Sequence, residues 1–263
     1  MPVSLPMPQA LLLDFGGVIV DGPTSPTWAA EVAGVVTKLL IESRVVPLLS
    51  VHVVVEALIK ADGAADTCWI EAAPVEQWSE KFWRDVVGAT WPAEARRTVG
   101  AHATNLSRCV AELKFARTWH LRPGITDLLA TAEALGLVMA VVSNAISAPV
   151  HRDLLASSGL ARHFAVQLYS DEQGVRKPNP ELVWRAVAAL GMSPADCWFV
   201  GDTRSRDVLA ARRAGCGAAV LMRSVRVDHL PCPEAVNPDV VVADPGQLRA
   251  LLSGIFKDPN KVV

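Results

Sequence analysis

Apolar residues along this chain fall into two patterns. The first is a short unbroken run that stops at a polar or glycine-containing turn: "ALLLDFGG" (10–17), "LVMAVVSNA" (137–145) and "CWFVGDT" (197–203). A strand covered on both faces has to read this way, because its alternate side chains both meet apolar layers. "GAAVLM" (217–222) and "DVVVAD" (239–244) read as two further strands. The second pattern has helical spacing: 124–136, 148–159, 179–191 and 205–215 each open near Pro, Ser, Thr or Asn and close at Gly. Strand alternating with helix predicts an α/β fold with a doubly wound parallel sheet.

The interval 22–120 breaks the alternation. It reads as helices only, over about 25–43, 48–62, 74–88 and 92–113, with breaks at Pro47, Gly63, Pro74 and Pro92. We therefore expect an all-α domain (22–120) inserted into an α/β core made of 1–21 and 121–263. Six of the eight Trp (28, 69, 78, 83, 91, 119) lie in this interval. Packing of a small bundle is the expected use, with one or two lining a substrate pocket as the sharper alternative. Trp78, Phe82 and Trp83 have the spacing of core residues. The apolar stretch "VVPLLSVHVVVEALI" (45–59) is too short to span a bilayer and is interrupted by Pro47, His52 and Glu56. It reads as a buried helix or as an edge where two copies meet, so a homodimer is an expected partner.

The strand ends carry the chemistry. Ligands of open α/β sheets bind at the carboxyl ends of the strands, and three of the predicted strands end in Asp14, Ser143-Asn144 and Gly201-Asp202. Lys177, in "GVRKPNPELVW", precedes a Pro-Asn-Pro that opens a helix. Such a set suits phosphoryl transfer. Asp14 can attack as an oxygen nucleophile and carry an aspartyl-phosphate. Ser143 and nearby backbone N–H groups can bind phosphate oxygens, and Lys177 supplies positive charge where the transferring group is most negative. Asp14, Asp202 and a backbone carbonyl such as that of Gly16 make an oxygen-only shell suited to Mg²⁺. Asp207 either holds a metal-bound water or orients Lys177. Arg204 and Arg206 read as surface charges, one of which could screen a substrate phosphate. None of the six His stands in a defensible catalytic position; His120, beside the expected hinge, comes nearest.

Composition narrows the field further. A 51% apolar, 20% charged chain of 263 residues is an ordinary packed globule, and its formal net charge of −2 offers no field for a nucleic acid backbone. The five cysteines are scattered, with no CxxC pair; reduced thiols of a cytoplasmic protein are expected, without a zinc site. "MPVSLPMPQA" has no basic residue and no long apolar run, and reads as neither signal peptide nor membrane anchor.

Taken in order, "LLLDFGGVIVD", "VVSN", "RKPNPELVW" and "FVGDTRSRDVLAARRAG", with "LRPGITDLLATAEALG" in support, resemble the haloacid dehalogenase superfamily of hydrolases. The resemblance covers 10–21 and about 121–252. It implies a Rossmann-like core with a helical cap that closes over the site and chooses the substrate. It also implies Mg²⁺-dependent hydrolysis of a small phosphorylated metabolite. Carried over by position, Asp14 is nucleophile and metal ligand, Ser143, Asn144 and Lys177 bind phosphate, Asp202 ligates the metal, and Asp207 supports it.

One position departs from that pattern. Most phosphatases of the family place a second Asp two residues after the nucleophile, where it protonates the leaving alcohol; here that place is Gly16. Such acid–base help is worth roughly 10²–10⁴ in rate. The readings left open are a proton from a cap residue, a substrate with a good leaving group, or a weakly catalytic protein that binds phosphorylated ligands. Asp21 reads as a hinge residue rather than the replacement acid. A dehalogenase-like reaction also lacks the second Asp, but it has no need of Asp202 and Asp207. A phosphonate-cleaving enzyme would want a cap lysine, and Lys38, Lys60, Lys81 and Lys114 are unmarked by their context.

Overall fold

A computed structural model describes residues 5–67, 79–225 and 236–257. The chain enters through β1 (Ala10–Leu13) and turns into the short β2 (Val20–Asp21). A helical insertion follows: α1 (Trp28–Glu42), α2 (Val51–Thr67), α3 (Glu80–Phe82, wound on through Val87), α4 (Ala93–Ala101) and α5 (Ala103–Ala111, wound on through Ala116). β3 (His120–Leu121) then returns beside β2. Next come α6 (Ile125–Ala134), β4 (Val138–Ser143), α7 (Ala148–Ser157), β5 (Val166–Tyr169), α8 (Ser170–Gln173) and α9 (Glu181–Leu190). β6 (Cys197–Gly201), α10 (Leu209–Ala214), β7 (Ala218–Met222), β8 (Val240–Val242) and α11 (Pro245–Lys257) complete it.

Six strands form one parallel sheet in the order β5-β4-β1-β6-β7-β8. β1, β4 and β6 are buried almost throughout, as their unbroken apolar runs require, and apolar clusters cover both faces of the sheet. Winding proceeds to one side of β1 through β4 and β5 and to the other through β6 to β8, so it reverses at β1. The crevice at the carboxyl ends of β4, β1 and β6 is where such a sheet takes its ligand.

The insertion has an apolar cluster of its own, in which Trp28, Trp83 and Trp91 pack with Val32, Val36, Leu40, Val54, Leu58, Leu106 and Val110. The Trp83 indole N–H donates to Ser107 Oγ at 2.9 Å. Trp69 and Trp78 lie outside the described residues. Trp119 packs against the sheet's core instead. Within 45–59, Val54 and Leu58 are buried while Val46, Leu48, Val51, Val53 and Ile59 are exposed, so this stretch is amphipathic rather than wholly buried. Among the described residues no helix is long and apolar enough to cross a membrane. Cys109, Cys197 and Cys216 are free thiols.

The elements differ from expectation in a few places. β5, the two-strand ribbon β2–β3 and α11 had not been anticipated, and the single helix expected over 92–113 breaks at His102 between α4 and α5. The beginning of the helix expected over 74–88 lies outside the described residues; from Ser79 onward it is present, with the Ser79 hydroxyl accepting from Phe82 N–H.

Candidate active site

Sheet geometry assembles the site. Asp14, the residue after β1, donates its backbone N–H to Val200 O at 2.9 Å, which extends the ladder to β6. Ser143 ends β4 and Asp202 follows β6, so three neighbouring strands deliver three polar side chains to one edge. Asp14, Asp202, Asp207 and Lys177 are all buried. Lys177 Nζ bridges Asp14 Oδ1 at 2.8 Å and Asp207 Oδ1 at 2.6 Å. Burial alone would push the lysine's pKa down, but the two carboxylates outweigh it and hold Lys177 above its usual value. Burial likewise works against charge on Asp207, and the Lys177 ammonium with the Thr203 hydrogen bonds outweighs it, keeping Asp207 below the usual carboxylate range. Both members are therefore charged at neutral pH.

Two glycines permit these approaches. Gly17 has φ +78°, and a Cβ there would overlap the Asp202 carboxylate; a Cβ at Gly201 would overlap Asp207. Oxygens of Asp14, Asp202 and Asp207 lie within 4.8 Å of one another. This is an all-oxygen donor set at a spacing one hard divalent cation can span, so the residues present fit Mg²⁺. Asp207 is already committed: its Oδ2 accepts from Thr203 N–H at 2.9 Å and from the Thr203 hydroxyl at 2.5 Å, while Oδ1 holds Lys177. Orienting Lys177 is the role its contacts describe. Asp202 Oδ2 accepts from the Ser224 hydroxyl at 2.9 Å.

Asn144 is occupied in a similar way. Its amide oxygen accepts from Lys177 N–H at 2.8 Å and its amide nitrogen donates to Lys177 O at 3.0 Å. The side chain fixes where the lysine backbone stands, and Asn144 also lines the cavity into which the site opens. The Ser143 hydroxyl makes only a long contact, 3.4 Å, to Asn144 O, so it can exchange that contact for a better acceptor.

The site opens into a cavity of about 460 Å³ lined by Asp14, Gly16, Ser143, Lys177, Asp202 and Asp207 and, on the insertion side, by Asp62, Ala111, Lys114 and Phe115. Trp119, Arg176 and Arg206 also line it, whereas Arg204 is exposed. Asp21 stands in the ribbon where the chain leaves and re-enters the core, paired with His120; its oxygens accept from Gly22 N–H at 2.9 Å and Val225 N–H at 3.3 Å. Asp21 also lines the cavity.

His151 had not been expected at the site, yet it lines the cavity. Its ring packs against Phe15 (4.4 Å between centroids) and Trp119 (5.0 Å), and its Nδ1 pairs with Ser147 O at 3.0 Å. Burial pushes it down to about 4, so it is neutral at physiological pH. Lys114 and Asp62 were also missed as site residues, although a helical signal marks both. The inward stripe Val54, Leu58 of α2 continues one turn on at Asp62, and the stripe Leu106, Val110 of α5 continues one turn on at Lys114. Opposite charges that prolong two buried stripes are a legible pattern.

The chain's similarity to known proteins points to one family. Residues 8–215 match the haloacid dehalogenase-like hydrolases. The chain is 37% identical over 144 residues to a phosphoserine phosphatase of Thermus thermophilus, a match covering 54% of this chain and 56% of that protein. It is 38% identical over 96 residues to a phosphoglycolate phosphatase of Salmonella paratyphi A, covering 36% of this chain and 37% of that one. The matches thus span about half, or less, of these relatives' own length. Among solved structures, a HAD phosphatase from Thermococcus onnurineus superposes with a TM-score of 0.60 at 19% identity, over 94% of this chain and 98% of that one. A 2-haloacid dehalogenase from Pseudomonas syringae superposes at 0.57 with 17% identity, over 94% and 99%. At such identities the superpositions speak for the fold alone. The family match over most of the chain, with Asp14, Ser143, Lys177 and Asp202 gathered at one sheet edge, makes this protein a member of the haloacid dehalogenase-like hydrolases.

Proposed function

We propose that this protein is a Mg²⁺-dependent phosphatase that hydrolyses a small phosphomonoester of the sugar or aryl type through an aspartyl-phosphate on Asp14. The observation that carries the reading is the buried Lys177 ammonium held between Asp14 and Asp207 beside Asp202. Lys177 takes one oxygen of Asp14 and so orients the carboxylate, leaving the other for attack on phosphorus. The same ammonium faces the charge that builds on the phosphoryl oxygens. Ser143 donates to one of these oxygens. Asp14 and Asp202, with the Gly16 carbonyl, would hold Mg²⁺, which when bound supplies Lewis-acid stabilisation of the phosphoryl group. The names of the curated relatives, phosphoserine and phosphoglycolate phosphatase, support a phosphomonoester in this place.

The helical insertion acts as the cap. It is joined to the core through the β2–β3 ribbon and contributes Asp62, Lys114 and Phe115 to the cavity wall. Release of phosphate from a panel of sugar, aryl and nucleotide phosphates is the test. Turnover stops in EDTA and returns with Mg²⁺. Undiminished turnover in EDTA, or release of halide from a halo-acid, overturns the reading.

A further inference from the structure

The cavity that Asp14 lines also carries an ion pair that phosphoryl transfer does not use. Lys114 Nζ pairs with Asp62 Oδ1, bringing together residues 52 apart in the chain. The side chains are only 10% and 25% exposed. The ammonium also lies 5.1 Å from the Trp28 ring centroid and 4.8 Å from that of Phe115. Pairing and the two aromatic faces fix its position. Both charged residues and Phe115 line the same cavity as the nucleophile.

We propose that Lys114 and Asp62 read the hydroxyl groups of a sugar whose phosphate is on the anomeric carbon, so that the substrate is an aldose 1-phosphate. This rests on the phosphatase reading above and names its substrate class.

Three physical arguments converge. The first is charge. A substrate carboxylate could bind Lys114 only by displacing Asp62, which would leave a half-buried carboxylate without its counter-charge. A substrate ammonium would strand Lys114 in the same way, and an unpaired buried charge is costly. A neutral hydroxyl breaks nothing. It donates to Asp62, which has lone pairs to spare, and accepts from Lys114, whose three N–H donors are not exhausted by one carboxylate. Adjacent hydroxyls of a sugar can therefore bridge an intact pair.

The second argument is shape. Phe115 and Trp119 line the cavity beside the pair, with rings nearly parallel at 11° and centroids 6.1 Å apart. Polar groups of both signs next to aromatic surface suit a ring that carries hydroxyls on its rim and C–H bonds on its faces. The third argument comes from Gly16, which lines the same cavity. Gly16 gives no proton to the departing oxygen, and an anomeric oxygen departs as a weaker base than an ordinary alkoxide. The ion pair selects the hydroxyls and the missing acid selects the anomeric linkage. Both constraints fall on one kind of molecule.

The test compares kcat/KM for a panel of aldose 1-phosphates (gluco, galacto, manno and ribo), p-nitrophenyl phosphate, phosphoglycolate and O-phosphoserine, using the full chain with Mg²⁺. At least one aldose 1-phosphate exceeds phosphoglycolate and O-phosphoserine by about 100-fold, since a site with committed polar groups rejects ligands that leave them unpaired. Lys114→Met and Asp62→Asn each lower the ratio of that sugar phosphate to p-nitrophenyl phosphate by about 10-fold or more. Because the ratio is taken within one variant, a general loss of activity cancels. Thermal melts verify the fold, and if Lys114→Met does not fold, Asp62→Asn carries the comparison.

Calorimetric titration of Asp14→Asn with the same compounds separates recognition from turnover. If no phosphomonoester is hydrolysed by the native chain, the phosphatase reading fails while the order of affinities still decides the role of the pair. A preference for phosphoglycolate or O-phosphoserine overturns the proposal, as does an equal loss on every substrate in both variants.

Discussion

Gly16 stands two places after Asp14 and lines the same cavity. Its φ lies outside the left-handed region, unlike that of Gly17 next to it, so the backbone itself can accept another residue. On the phosphatase reading, no acid at this place means that the leaving oxygen carries more negative charge at the transition state. Rates over a series of phosphate monoesters should then fall steeply with leaving-group pKa, and Gly16→Asp should flatten the slope by restoring help worth roughly 10²–10⁴ for the poorest leaving groups. Rates that are flat in the native protein would show that another residue already gives the proton. His151 makes a separate prediction, about stability. Burial holds it at about 4 against 6.5 in the unfolded chain. Between those values the unfolded state binds more protons, so stability falls as the pH falls through the window. The loss is about 2 kcal/mol by pH 5 and approaches about 3 kcal/mol near pH 4. His151→Phe keeps the ring contacts with Phe15 and Trp119 and removes that proton. Denaturant midpoints at pH 7 and pH 5 should lie closer together in the variant than in the native protein. An equal separation in both would assign the acid sensitivity to other groups.

Among the elements, the turn between β1 and β2 bears most on function. Gly17 lies in it at φ +78° with the Asp202 carboxylate against its Cα. Gly17→Ala should cost roughly 1–2 kcal/mol for the left-handed backbone. It should also displace Asp202 and raise the Mg²⁺ concentration for half-maximal activity by about 10-fold or more. A melt and a Mg²⁺ titration read the two effects, and an unchanged Mg²⁺ requirement would place Asp202 outside the metal shell. The strands that flank this turn were legible in the sequence because burial on both faces leaves an uninterrupted apolar run, as in β1, β4 and β6. β5 was not. Its residues "VQLY" are mostly half-buried at the sheet edge, and Gln167 interrupts the run. α11 was hidden by Gly246 and Gly254, which lower its helical signal although Leu248, Leu252 and Ile255 are buried. The site divides along the same line. Asp14, Ser143 and Asp202 follow directly from strand ends, and Asp62 and Lys114 prolong buried helical stripes, but that the two pair in this cavity, and that His151 reaches it, depends on packing between distant segments. Asn144 was legible as a site residue, but its grip on the Lys177 backbone was not, because the two are 33 residues apart.

At the scale of the whole molecule, a parallel sheet gathers Asp14, Ser143 and Asp202 at one edge, and residues of the helical insertion line the same cavity. The carboxyl edge of the sheet holds Asp14, Lys177 and Asp207 in a buried chain of alternating charge, with Asp202 beside it. The account stands on what Asp14 does within it. Rapid acid quench during turnover, followed by mass spectrometry of the peptide containing Asp14, tests this most directly. On the proposed mechanism Gly16 cannot activate water, so the covalent species should accumulate. The account predicts a phosphoryl group on Asp14 in the native protein, together with an early burst of alcohol or phenol. It also predicts that Asp14→Asn loses both the label and phosphate release while its melt is retained. Steady phosphate release from the native protein with no label on Asp14, or persistent release from Asp14→Asn, would contradict it.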